Sequence, residues 1–134
     1  MFDWLRRKRL GSQGEDAAAT FLRKSGVRIL ARNFTCPQGE IDLIGLHEAT
    51  IVFFEVKTRR SSQAADPEAN IGPVKQQQLT RVASAWLAKN RYPQTAYRFD
   101  AVAVIWPENG PPQVRWTMQA FVPKGPGPRP RRRR

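Results

Sequence analysis

The chain has 134 residues, 40% of them hydrophobic, and a formal net charge of +12. That length suits one domain with a modest core. One cysteine (Cys36) and one histidine (His47) are present. The single cysteine excludes an intramolecular disulfide and a thiolate zinc centre, and a single histidine read in an exposed turn lacks the fixed neighbour that a histidine base for a serine or cysteine nucleophile needs.

The charge is concentrated at the two ends. Residues 1–9 contribute +3, residues 124–134 contribute +6, and residues 10–123 only +3. Such ends attract polyanions without reading sequence, and they equally serve as solubilising tails. No stretch approaches the ~20 apolar residues of a membrane span. The start, MFDWLRRKRL, lacks the apolar region of a secretory signal. A cytoplasmic location without membrane association is the resulting expectation.

In chain order, residues 1–10 read as a basic leader, 11–122 as the folded domain and 123–134 as a disordered Pro/Gly/Arg-rich basic tail. Ser12 reads as a helix start, because Glu15 follows at the spacing of a capping box. Ala18, Phe21 and Leu22 continue one face, and Gly26 stops the helix. Glu15 has a second reading, since it also projects from the core-facing side. Val27–Phe34 reads as a strand, and T-C-P-Q-G at 35–39 as turn chemistry.

Gly39 to Lys57, GEIDLIGLHEATIVFFEVK, reads as a hairpin with a four-residue turn at His47–Thr50 and His47 exposed in it. In that register paired residue numbers sum to 97, so Ile44 faces Phe53 and Asp42 faces Glu55. Ile41, Leu43, Gly45, Val52, Phe54 and Val56 then share the opposite, wholly apolar face.

Thr58–Gly72 reads as a polar loop, with Arg59 and Arg60 as either phosphate contacts or solvated surface residues. Pro73 opens a second helix to about Asn90, whose buried stripe is Leu79, Val82, Ala83, Trp86 and Leu87. Lys75, or else Gln76, points the same way from its first turn. Tyr97–Trp106 reads as a central strand buried on both faces, and QVRWTM as a short edge strand. Asp100 reads as a structural partner of Arg98 or of a backbone amide. The order of elements implies an α/β fold, bordering on α+β, with helices packed on a mixed sheet.

Asp42 and Glu55 carry the chemistry. Two carboxylates directly opposed in a sheet repel, so a shared proton, Lys57 or a divalent cation must neutralise them. Mg²⁺ or Mn²⁺ takes one or two carboxylates and leaves its other positions to water and phosphate oxygens. Lys57, two residues beyond Glu55 on the same face, can hold a phosphate or the attacking water. An isolated E-x-K is usually a solvated ion pair, but the run IVFFEVK is too apolar for a solvated edge.

G-E-I-D-L-I followed by F-F-E-V-K-T-R resembles the bacterial YraN-like family of predicted endonucleases. That family is related to archaeal Holliday junction resolvases within the PD-(D/E)xK superfamily. G-x-x-G-E-x-x-A near the front, A-R-N-F at 31–34 and R-F-D at 98–100 extend the match. Asp42 takes the place of the motif's aspartate, Glu55 of its acidic residue and Lys57 of its lysine, while Ile41 stands where the motif has proline. The resemblance implies a restriction-endonuclease-like fold and a metal-dependent cut of DNA, on branched or structured substrates. Asp42 and Glu55 would hold Mg²⁺ or Mn²⁺, Lys57 would serve the water, and Glu15 would assist. Arg59, Arg60 and Lys75 are the expected nucleic-acid contacts. The relatives' symmetric substrates raise a homodimer, although no self-complementary apolar patch is readable. The alternative is a non-catalytic nucleic-acid-binding accessory that keeps the fold. A glycoside hydrolase fits poorly, because it leaves Lys57 and the basic ends without a role.

Overall fold

The computed structural model describes residues 2–63, 71–91 and 96–123, with side chains described from residue 11 and excluding Gln63. The side chains of the basic leader, residues 64–70 of the expected loop, and the tail from Lys124 lie outside the described residues.

Among the described residues two α-helices and five strands follow in the order α1 (Phe2–Lys24), β1 (Val27–Cys36), β2 (Gly39–His47), β3 (Thr50–Arg60), α2 (Pro73–Asn90), β4 (Tyr97–Trp106) and β5 (Gln113–Phe121). The strands form one sheet in chain order, β1-β2-β3-β4-β5. Only the β3–β4 pair is parallel. A parallel pair needs a long crossover, and α2 supplies it. The result is the mixed sheet with flanking helices expected from the sequence, in an α+β arrangement.

Each face of the sheet has its own core. Ile44, Ile51, Phe53 and Phe99 pack under α2 with Leu79, Val82, Ala83, Trp86 and Leu87. Leu43, Val52, Phe54, Val102 and Val104 pack under α1 with Ala18, Ala19 and Leu22. The buried stripe of α2 is the one its spacing predicts, and β4 is buried on both faces.

Several boundaries differ from expectation. The first helix begins at Phe2, so Ser12 lies in its interior and no capping box forms there. Leu5 to Leu10 are good helix formers, and together they carry the helix through Gly11 and Gly14, each costing about 1 kcal/mol. Its end is as expected: Gly26 adopts φ +95° and its N–H donates to the Arg23 carbonyl. β3 continues through Arg60 into a 3₁₀ turn at Ser61–Gln63, so the loop begins later than Thr58. The hairpin turn is tighter than four residues, because His47 pairs with Thr50 and only Glu48 and Ala49 remain between them. The register is otherwise the expected one, from His47–Thr50 to Leu43–Phe54.

Candidate functional site

The site forms where that ladder stops. The β2–β3 pairing ends at Leu43–Phe54, so Asp42 and Glu55 do not pair directly as the sequence register had them. The β1–β2 register likewise pairs Leu43 with Arg32 and Ile41 with Phe34, passing over Asp42 and Asn33. Asn33 itself adopts a left-handed φ of 52°, and such irregularities recur beside functional sites. Ile41 also leaves its expected face, joining the core under α2 while Leu43 faces α1. The Asp42 carboxylate fills the gap in the ladder: its Oδ2 accepts the Val56 N–H at 2.8 Å.

Glu55 projects from β3 on the α2 face. Its side chain is 14% exposed, and its Oε1 lies 3.8 Å from Lys75 Nζ in the first turn of α2. Burial, and then the neighbouring Asp42 charge, push the Glu55 carboxyl up to about 7, with Lys75 and Lys57 opposing the shift. Burial also raises Asp42, against the Val56 hydrogen bond, and Glu40 adds to the rise. Glu15 reaches the same place from α1. It is raised by burial and then by Asp42, and lowered by a side-chain hydrogen bond with Asn33 and by Arg32. With Ser12 inside the helix, the capping role of Glu15 is gone and the place beside Asp42 remains.

Four of the sequence-derived residues, Glu15, Asp42, Glu55 and Lys57, thus gather with Lys75 where the β2–β3 pairing ends. Asp42 stands between Glu15 and Glu55. Arg59 and Arg60 are exposed at the end of β3, and Arg59 donates to the Thr58 carbonyl. Gln76 points elsewhere: its amide caps the Ile71 carbonyl at 2.6 Å. Glu40, exposed on β2, lies within electrostatic reach of Glu15, Asp42 and Glu55. Its place two residues before Asp42 is the signal that could have included it.

Among the described residues no three acidic, histidine or cysteine side chains converge as a metal cage. Asp42 and Glu55 are two carboxylates that could contribute to holding an ion. Magnesium-type ions are commonly held by one or two carboxylates, with water completing the shell. Two half-buried carboxylates with raised pKa values have the chemistry for such an ion.

The other charged cluster is structural. Asp100 is fully buried. It accepts from Arg98 Nε at 3.0 and 3.1 Å, Trp116 Nε1 at 2.8 Å and the Gln119 N–H at 2.9 Å. This is the structural part expected of Asp100, and four bonds satisfy the buried charge. His47 is not the exposed turn residue expected. It is half-buried, 2.9 Å from Arg98 through Nδ1, and its ring meets Trp116 edge-on at 5.1 Å.

The fold and the site define a small mixed-sheet domain with a charged fork between two central strands, reached from both flanking helices. Its family follows from comparison. The model of the uncharacterised protein family UPF0102 matches residues 14–104. A UPF0102 protein of Geotalea daltonii is 40% identical over 114 residues, covering 85% of this chain and 90% of the relative. One of Caldicellulosiruptor saccharolyticus is 44% identical over 100 residues, covering 75% and 85%. One of Streptomyces griseus is 42% identical over 107 residues, covering 79% and 90%. The chain belongs to the UPF0102 family, the YraN-like family of the resemblance. Among the described residues no helix is long and apolar enough to cross a membrane.

Proposed function

We propose that the chain is a metal-dependent endonuclease that hydrolyses phosphodiester bonds in DNA, on branched or otherwise structured substrates. The observation that carries this reading is the Asp42–Glu55 fork, in which burial raises both carboxyls, the Asp42 charge raises Glu55 further, and Glu40 adds to both. Perturbed carboxyls at such a place are a mark of functional sites. Mg²⁺ or Mn²⁺ bound between them would polarise the phosphate and supply a nucleophilic water. The protein's own part is positional. The Val56 N–H holds Asp42 in orientation, and Lys57 on the same strand face orients the attacking water and offsets developing charge. Lys75 balances Glu55 until the ion binds. Glu15 assists through its proximity to Asp42. The resemblance to the junction resolvases supports the restriction-endonuclease-like assignment, and a homodimer would suit a symmetric substrate.

The test is cleavage of labelled four-way junctions, flaps, single strands and duplexes with Mg²⁺, Mn²⁺ or EDTA. Cleavage should require the metal and vanish in Glu55→Ala and Lys57→Ala, while Glu55→Ala still binds DNA. Metal-independent cleavage, or cleavage that survives in both variants, would refute the reading. The Lys75–Glu55 ion pair favours one other reading, a nucleic-acid-binding accessory in which the amine permanently satisfies the carboxylate. That reading predicts binding on every substrate and cleavage on none.

A further inference from the structure

The sheet is charge-balanced on one side of the fork and basic on the other. Toward β1, Glu40, Glu15 and Asp16 stand with Arg28 and Arg32, and Asp16 and Arg32 pair at 2.6 Å. Toward β5 the register lays out cross-strand rows on the α2 face. Glu55 lies beside Ala101 and Thr117, Lys57 beside Ala103 and Arg115, and Arg59 beside Ile105 and Gln113. These rows contain no acid beyond Glu55. Strands are about 4.8 Å apart, so Lys57 and Arg115 stand about 10 Å apart across a small alanine. The Arg115 side chain is exposed and makes no hydrogen bond or ion pair with another described residue.

A polyanion at the fork meets balanced charge on one side and an excess of positive charge on the other. We propose that the phosphate backbone of a bound nucleic acid leaves the fork across β3, β4 and β5, over the Lys57–Ala103–Arg115 row, with Arg115 as a phosphate contact. Ala103 at the middle of the row leaves the long side chains on either side able to lean toward one strand of phosphates. Arg59, in the next row, continues the same basic edge. Phosphate contacts of this kind set direction and register and carry no base preference. The inference rests on the nuclease reading for the nature of the ligand, and it adds the path and a residue that neither the sequence motifs nor the fork indicates.

The experiment measures binding without cleavage. Labelled single-stranded and duplex oligonucleotides are titrated with the full chain in EDTA by fluorescence anisotropy, over a series of salt concentrations. Arg115→Gln is compared with wild type and with Arg28→Gln, which removes an exposed arginine from β1 at the opposite edge. Arg115→Gln should weaken binding about three- to tenfold and lower the salt slope by about one, whereas Arg28→Gln should match wild type. Circular dichroism melting of both variants excludes a folding effect. If wild type binds and the two variants bind equally to it, the path is wrong and the nuclease reading stands. If wild type binds no oligonucleotide at any salt concentration, the nuclease reading falls and the path with it.

Discussion

Glu55 ties the chemistry of the fork to stability. Its folded pKa of about 7 stands above the ordinary 4.5. A carboxyl raised in this way contributes stability fully below the ordinary value, and loses it as pH rises through the folded value. The melting temperature of metal-free protein should therefore fall between about pH 4.5 and 7 relative to Glu55→Gln, which lacks that titration. Mg²⁺ or Mn²⁺ added above that range should raise the wild-type midpoint more than the variant's. Parallel pH profiles for the two proteins would contradict the placement of Glu55. Asp100 makes the opposite case, a buried charge with every partner in place. Asp100→Ala leaves Arg98 and the Trp116 N–H facing a vacated site, and should cost about 3–5 kcal/mol in denaturant unfolding. A loss below about 1 kcal/mol would show that water takes over those bonds.

At the scale of elements, Gly14 sets how closely α1 approaches β3. A Cβ at Gly14 would overlap the Thr58 side chain, which follows directly after Lys57. Gly14→Ala should destabilise by about 1–3 kcal/mol through overpacking, despite the better helix propensity of alanine. Thr58→Ala should recover part of that loss in the double variant, and strictly additive effects would place the strain elsewhere. The stripe of α2, the burial of β4 and the hairpin register were all legible in the sequence, because each rests on periodicity over several residues. The irregularity at Asp42 was not. It depends on the β2–β3 ladder ending at Leu43–Phe54 and on the left-handed φ of Asn33 opposite Asp42, and neither leaves a periodic signal in the sequence. The N-terminal turns of α1 were hidden for another reason: an attractive cap at Ser12 competed with a good helical run before it. His47 looked like a turn residue because its partners, Arg98 and Trp116, come from strands far along the chain. Glu15, Asp42, Glu55 and Lys57 were readable as a set, with Lys75 or Gln76 as a polar residue of the second helix beside it, whereas the choice of Lys75 and its contact with Glu55 needed the packing of α2.

At the scale of the molecule, charge is divided between the sheet and the end of the chain. Residues 124–134 carry six positive charges. Ending the chain after Pro123 should reduce the salt dependence of DNA binding by up to about five ions, because each phosphate contact releases slightly less than one counterion. Metal-dependent turnover of a saturating substrate should change little. If truncation leaves the salt slope unchanged while turnover collapses, the tail acts in the chemical step instead of in capture.

The parallel pairing of β3 with β4 has a consequence for how the chain reaches this state. α1 and the β1–β2–β3 meander use neighbours in sequence and can form early, while β4 must wait for the crossover through α2 to close. Substitutions in the hairpin, such as Phe53→Leu, should then slow refolding, and substitutions in β5, such as Val114→Ala, should mainly speed unfolding. On a ribosome, the Asp42–Glu55 fork would emerge before the strand that supports it from the other side. The acidic pair would assemble while half of its sheet is still being synthesised.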